Sequence, residues 1–122
     1  MKSIKQQQKG EETMATFETN VAGITFRKQN FEKVIANHKA KEFFTCNLER
    51  EPDNKYDANA IKVVVDDVFI GYIPSAQAQL IAPMMDAGQD VKANVVELGH
   101  FEKRQNNGKM KTLPYGRIEV EV

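Results

Sequence analysis

The sequence predicts a mainly β fold of the α+β class, a small and partly open β-barrel of about six strands with two short helices. Segments in which apolar and polar residues alternate recur along the chain, and turn-forming residues separate them at the spacing typical of a small barrel. Two other segments have apolar residues at helical spacing. A length of 122 residues suits one domain with a core of ordinary size.

The chain divides into a polar leader, residues 1–15, and a domain, residues 16–122. The leader has no hydrophobic period, which predicts disorder. Lys9-Gly10-Glu11-Glu12 can be encoded by a purine-rich tract that resembles a ribosome-binding site, just ahead of Met14. We hypothesise that translation starts at Met14 and that the leader comes from a wrongly assigned start. A natively expressed protein whose intact mass begins at Met1 would contradict this.

The first half of the domain predicts a strand, a helix and a second strand. Residues 18–26 have the pattern of a strand, and Gly23 in it indicates a bulge or a close approach of another chain segment. Asn30 is predicted to cap a helix. The apolar face of that helix comprises Phe31, Val34, Ile35 and His38. Residues 42–49 alternate as a half-buried strand, whose inward residues are Phe44, Cys46 and Leu48.

A hairpin and a short helix follow. Residues 61–65 and 68–73 flank Asp66-Asp67, which predicts a hairpin with a two-residue loop. Ser75 is predicted to cap a helix that runs through Ile81, that Pro83 breaks or kinks, and that Gly88 closes.

Two strands complete the chain. Residues 91–98 form the first, and a slip of its period between Val95 and Val96 indicates a bulge. Residues 104–111 are predicted to be a polar loop, and residues 117–122 alternate as the last strand. Together the elements predict a small OB-like or SH3-like barrel.

Composition limits the classes of function. The 17 basic and 17 acidic side chains give a formal net charge of +0, so any contact with nucleic acid must be local and engage few phosphates. No apolar run reaches the ~20 residues that span a bilayer, and the first residues lack the apolar core of a signal peptide. The single cysteine, Cys46, fits a reducing compartment, so we expect a cytoplasmic protein that does not contact membranes.

The most distinctive segment is residues 50–61, Arg-Glu-Pro-Asp-Asn-Lys-Tyr-Asp-Ala-Asn-Ala-Ile, followed by Ile-Gly-Tyr-Ile-Pro at residues 70–74. Turn-forming residues between two strands are ordinary loop chemistry, in which Asp57 and Asn59 accept backbone N–H groups. The pattern also resembles the signature of HIRAN domains, small β-rich modules best known as additions to SWI/SNF-type ATPases. The resemblance covers residues 17–96, and its central positions are Arg50, Glu51, Pro52, Asn54, Tyr56, Asp57, Asn59, Ala60, Ile61, Gly71, Tyr72 and Ile73.

The resemblance implies a module that recognises the 3′ end of single-stranded DNA in repair or replication-fork processing. In the DNA-binding members a Tyr-Asp pair and an aromatic residue form the end-binding pocket, which here corresponds to Tyr56, Asp57 and Phe26, with Asn59 in the same motif. Aromatic rings stack on unpaired bases. A carboxylate accepts a hydrogen bond from a free 3′-hydroxyl and repels a 3′-phosphate.

This sequence departs from the family where DNA-binding members have an arginine before the first aromatic residue, because Thr25 stands there. Arg27 and Lys28 lie beside that position and are candidates for the phosphate contact. A second candidate is the basic segment near Phe101, which contains Lys103, Arg104, Lys109 and Lys111. Thr25 favours the alternative function, a protein-interaction module that keeps the fold without binding DNA.

An enzyme is the least favoured class. A metal-dependent nuclease would have to bring together Glu49, Glu51, Asp53 and Asp57, which the pattern divides between a strand and a loop. His38, His100 and Cys46 have no partners at the spacing of a metal site, and no Walker-type phosphate loop is present. We therefore expect a non-enzymatic protein without cofactor or metal, with ATP-driven activity supplied by a partner such as a helicase or another repair protein.

Overall fold

The computed structural model describes residues 15–37 and 44–122, and the predictions for residues 1–14, for His38 and for the start of the second strand lie outside this part. The described part has six strands and two short α-helices, so the predicted mainly β fold is confirmed. In chain order the elements are β1 Thr16–Asn20, a 3₁₀ helix Ile24–Arg27, α1 Lys28–Asn37, β2 Cys46–Arg50, β3 Ile61–Val65, β4 Val68–Tyr72, α2 Ser75–Asp86, β5 Lys92–Arg104 and β6 Met110–Glu121. None of the described helices is long and apolar enough to cross a membrane.

The strands form two antiparallel three-stranded sheets, in the orders β1-β6-β5 and β2-β3-β4. Within residues 15–37 and 44–122 a single bridge joins them, in which Ala22 and Tyr72 exchange two backbone hydrogen bonds of 2.8 and 2.9 Å. On the other side, the described strand pairs include none between β2 and β5, which flank a polar gap of about 490 Å³. The barrel is therefore partly open.

The core lies between the two sheets and is closed by one face of each helix. Central β3 and the inward face of β6 contribute β-branched residues, which suit a pleated and buried surface. Its fully buried side chains include Phe31 and Val34 of α1, Ile81 of α2, Ile61, Val63 and Val65 of β3, Ile70 of β4, and Ile118 and Val120 of β6. Cys46 packs against this core, as its alternation predicts.

The hairpin between β3 and β4 is confirmed, with Asp66 and Asp67 as its two-residue loop. Both residues have positive φ angles, 49° and 67°. A two-residue turn needs positive φ at both positions if it is to match the right-handed twist of the two strands as a type I′ turn does. The Asp66 carboxylate accepts hydrogen bonds from the backbone N–H of Thr45 at 2.9 Å and from its hydroxyl at 3.1 Å. This aspartate thus ties the turn to the residue before β2.

The prediction of one strand over residues 18–26 is wrong in its second half. β1 ends at Asn20, and Gly23 adopts a left-handed φ of 78° that turns the chain into the 3₁₀ helix. Phe26 therefore lies on this helix, where its N–H donates to the Gly23 carbonyl at 3.1 Å. The helix that follows starts at Lys28, so Asn30 is not its cap; the Asn30 amide instead donates to the Phe69 carbonyl at 2.8 Å.

The structure also corrects the start and the end of α2. Pro74 occupies the cap position and accepts the N–H groups of Gln77 and Ala78, so Ser75 is already helical. The helix continues through Pro83 to Asp86, because the Pro83 carbonyl still accepts the N–H of Ala87 at 3.0 Å. Gly88, with a φ of 91°, closes the segment as predicted.

Strands β5 and β6 are longer than predicted. The bulge after Val95 is confirmed, but the pairing then continues to Arg104 opposite Met110, where a polar loop over residues 104–111 is predicted. The prediction was wrong because the side chains of this hairpin are polar, which is typical of a loop. They are polar because the hairpin projects beyond β1, which pairs with residues 117–121 of β6. We call residues 99–115 the arm.

Candidate functional site

A cleft of about 360 Å³ lies where the bridge joins the two sheets. One wall is the loop between β2 and β3, residues 51–60, and the other is the junction of β4, α2 and the segment before the 3₁₀ helix. Its lining residues are Ala22, Asn54, Tyr56, Asp57, Ala60, Tyr72, Ile73 and Ser75. The cleft therefore draws on parts of the chain that are distant in sequence.

The loop is held by its own side chains. The Asn54 side-chain oxygen accepts the backbone N–H groups of Tyr56 at 2.8 Å and Asp57 at 3.1 Å. One Asp57 carboxylate oxygen accepts the N–H of Asn59 at 2.9 Å, and the Glu51 N–H closes the loop on the Ala60 carbonyl at 2.9 Å. Such bonds fix the direction of the Asp57 carboxylate and the backbone that carries the Tyr56 ring.

A polar network joins this loop to β4. The Tyr72 hydroxyl donates to the Glu51 carboxylate at 2.6 Å, and the Asn54 amide donates to the same oxygen at 2.7 Å. These bonds, first that of Tyr72 and then that of Asn54, hold the pKa of Glu51 below its ordinary value. The pKa of Tyr72 is raised, first by burial and then by its bond to Glu51. The Glu51 carboxylate and the Tyr72 hydroxyl therefore hold the loop against β4.

Arg50 fastens the loop to α2. Its guanidinium makes two bonds to the Asp86 carboxylate, at 2.9 and 3.1 Å, and donates to the carbonyls of Ala60 at 2.8 Å and Ala58 at 3.0 Å. The bond to Asp86 raises the pKa of Arg50 and lowers the pKa of Asp86. Arg50 is therefore a structural residue of the motif.

Arg27 contacts the ring of Tyr72, one of the residues that line the cleft. Its guanidinium donates to the Gly23 carbonyl at 2.9 Å and lies 4.4 Å from the ring centre of Phe69 and 4.9 Å from that of Tyr72. At these distances the cation is attracted to the faces of both rings. The predicted phosphate contact is thus a residue that stacks on Tyr72, one of the residues lining the cleft.

Two aromatic rings are almost fully exposed, Tyr56 at 89% and Phe26 at 87%. A ring in that position contributes little to the core. Because burying an aromatic ring stabilises more than burying most side chains, such a ring is well suited to contact a ligand or partner. Tyr56 lines the cleft together with Asp57. Phe26 is carried by the 3₁₀ helix, which begins two residues after the cleft residue Ala22.

The other three predicted site residues do not line the cleft. Lys28 is exposed at the start of α1, and Asn59 is half-buried within the loop, with its N–H bonded to Asp57. Phe101 lies on the arm in the other sheet, where its ring contacts that of Tyr115. Sequence reasoning did not assign Tyr72 to the site, although its place in the second half of the motif could have indicated it.

Metal and thiol chemistry have little support in the described part of the chain. No group of three or more His, Cys, Asp or Glu side chains there could hold a metal ion. Of the four acids considered for a nuclease, Glu51 is bonded to Tyr72 and Glu49 lies beside Lys62, 3.8 Å away. Burial raises the pKa of the Cys46 thiol to about 11, which disfavours the nucleophilic thiolate.

The sequence model of the HIRAN domain family matches residues 14–111. The chain belongs to the HIRAN family. The match contains every residue that lines the cleft and ends within the arm, so most of β6 lies beyond it.

Two solved structures resemble this HIRAN domain. The crystal structure of the HIRAN domain of human HLTF has a TM-score of 0.53 and 22% identity, over 87% of this chain and 74% of that one. The crystal structure of a protein from Lactobacillus plantarum has a TM-score of 0.56 and 24% identity, over 90% of this chain and 100% of that one. At this level of identity both likenesses establish the fold alone. None of the curated proteins matches the chain.

Proposed function

We propose that this protein binds the 3′ end of single-stranded DNA in the cleft beside Tyr56 and Asp57. The observation that carries the proposal is that the exposed Tyr56 ring and the Asp57 carboxylate line one cleft of a HIRAN domain. Its volume of about 360 Å³ is at the lower end of the ~300–1,000 Å³ range of ligand sites. That size suits a single nucleotide, and the choice between an end and an interior nucleotide falls to Asp57.

Asp57 distinguishes the end of a strand from its interior. One carboxylate oxygen is held by the N–H of Asn59, which leaves the other oxygen to accept a hydrogen bond from a free 3′-hydroxyl. The same charge repels a 3′-phosphate or a continuing phosphodiester. Tyr56 adds stacking on the terminal base, worth ~1–3 kcal/mol and indifferent to its identity.

Few phosphates are engaged in such a site, which agrees with a formal net charge of +0. We therefore expect contacts in the cleft to contribute on the order of two or three at most to the slope of the logarithm of the binding constant against the logarithm of the salt concentration. Affinity would come mainly from stacking and the hydroxyl contact.

The decisive test compares two fluorescent single strands of the same sequence, one with a 3′-hydroxyl and one with a 3′-phosphate, by anisotropy titration. The wild-type protein should prefer the hydroxyl, and equal binding of both would refute the end-binding site. Asp57→Asn keeps an oxygen for the Asn59 N–H but removes the charge, so it should lose the preference and retain weak binding. Asp53→Asn is the matched control, because Asp53 is exposed in the same loop and does not line the cleft.

A second candidate is a protein-interaction module that does not bind DNA. Two observations favour it. Thr25 stands at the position of the family arginine, and the guanidinium of Arg27 contacts the rings of Phe69 and Tyr72 instead of pointing to solvent. The exposed Phe26 would then anchor a partner, such as a helicase or another repair protein. Capture of one partner by wild-type protein but not by Phe26→Ala, with no DNA binding by either, would select this function.

A further inference from the structure

The arm is a two-stranded projection with unusual charge. It carries four cations and one acid, a formal charge of +3 in a chain of formal charge +0. Residues 100–112 are all exposed. Lys103 and Lys111 are direct partners in the strand register, an arrangement of like charges that destabilises a sheet. An anion placed between them would remove this repulsion.

The lysine pair shares one face of the arm with aromatic side chains. Because side chains alternate along a strand, Lys103 points to the same side as Phe101, whose ring lies 6.1 Å from that of Tyr115. Phe101 is 45% exposed. Gly99 makes room for the Tyr115 ring, since an added Cβ there would lie 3.1 Å from its hydroxyl. This face thus offers cations and a ring side by side.

The opposite face is braced at its base against α1. His100 is a member of this face, and its Nε2 lies 2.6 Å from the Glu32 carboxylate. Its ring also meets the ring of buried Phe31 edge to face, at 5.6 Å between centres. These contacts fix the arm relative to the domain and leave the lysine face outward.

The base of the arm lies next to the cleft. The N–H of Val21 donates to the carbonyl of Gly116, the residue after the arm, at 2.8 Å. Its chain neighbour Ala22 lines the cleft and forms the bridge to Tyr72. From Gly116 to the last strand pair at Met110 the arm extends about 20 Å, at ~3.3 Å per residue.

We propose that the lysine face of the arm binds the unpaired DNA strand on the 5′ side of the end held in the cleft. This inference rests on the proposed function and extends it beyond the terminal nucleotide. Lys103 and Lys111 would contact phosphates, and Phe101 would stack on a base. Proteins that bind single strands combine cations, which contact the phosphates, with exposed rings, which stack on the bases. The bases of a duplex are already stacked and paired, so they are not available to such a ring. An acidic protein would match the lysines but not use the ring in this way.

The test uses two 3′-hydroxyl single strands, of about 4 and about 16 nucleotides, the limits of the site size of one small barrel domain. Lys103→Gln/Lys111→Gln should weaken binding of the long strand at least tenfold at low salt and lower its logarithmic salt slope by about 1.4, at ~0.7 per contact. Binding of the short strand should not change.

The matched control is Lys33→Gln/Lys92→Gln, which removes the same charge from exposed residues outside both sites. Phe101→Ala should weaken binding of the long strand without changing the slope.

The outcomes separate the two proposals. If the arm variant binds the long strand like the wild type, or no worse than the control pair, the arm inference is wrong and the end-binding site is unaffected. If the wild type does not distinguish 3′-hydroxyl from 3′-phosphate but the arm variant still lowers the slope, end binding is wrong and the arm contact is supported. A blunt duplex bound through the lysines as tightly as the single strand would overturn the assignment to an unpaired strand.

Discussion

Gly71 is the residue whose replacement should most directly test how the two sheets are joined. It lies in β4 beside Tyr72, opposite the segment that bridges the sheets. A Cβ added there would lie 2.5 Å from the Ala22 carbonyl oxygen and 2.6 Å from a methyl group of Val21. Both distances are far below the ~3.5–4.0 Å of favourable contact. Gly71→Ala therefore requires the backbone of this segment to move away.

The cost follows from what the movement breaks. Overpacking a well-packed site costs about 1–3 kcal/mol. The bridge between Ala22 and Tyr72 has two backbone hydrogen bonds, each worth about 0.5–1.5 kcal/mol. We expect a loss of about 2–6 kcal/mol from a total free energy of unfolding of about 5–15 kcal/mol. For a chain of this length that corresponds to a melting temperature lower by about 8–24 °C.

Urea unfolding followed by far-ultraviolet circular dichroism measures this loss, and Gly99→Ala is the matched control. Gly99 also lies in a strand, but the nearest atoms to an added Cβ belong to the Tyr115 side chain at 3.1 Å, which can give way. The control should lose less than about 1 kcal/mol. Equal stability of Gly71→Ala and the control would show that the close approach at the bridge does not hold the sheets together.

Three further predictions concern the groups around the cleft. Arg50→Lys should lower the free energy of unfolding by about 1–3 kcal/mol, because lysine cannot reach Asp86 and two carbonyls at once; chemical denaturation checks this. The lowered pKa of Glu51 means that its stabilisation is present above the ordinary value of 4.5 and is lost as the pH falls through the lower folded-state pKa; Tyr72→Phe should flatten this fall in urea midpoints measured across pH 5 to 2. With its pKa raised from 9.0 to about 11, Cys46 should be labelled by a disulfide reagent at pH 8 about 100-fold more slowly in the folded protein than in urea.

Local patterns predicted much of the fold because the decisive interactions are local. The hairpin at Asp66-Asp67, the bulge after Val95 and the inward face of β2 depend on strand alternation and on turn residues a few positions apart. Gly88 ends α2 because a left-handed residue is needed there. Each of these signals is present in a short stretch of sequence and does not depend on the rest of the fold.

The errors occurred where tertiary contacts outweigh local pattern. Val21, Ile24 and Phe26 have a spacing that a strand could use, but Gly23 turns the chain so that the first two are buried and the third is 87% exposed. The arm has the polar composition of a loop because neither face of its outer part contacts the core. A strand pattern depends on a buried face, so a projecting hairpin does not show one.

The motif itself illustrates how one sequence pattern can have two correct explanations. Arg50, Glu51, Asn54 and Tyr72 bond to one another or to the loop backbone, so the interpretation of this segment as a tight turn is right for them. Only Tyr56 combines a position in the cleft with an almost fully exposed side chain. A motif dense in polar residues therefore mostly encodes the shape of the loop. The substitutions that discriminate function from folding are those at Tyr56 and the change Asp57→Asn, which keeps an oxygen for the Asn59 N–H. A variant at any of the four bonded positions would change both at once.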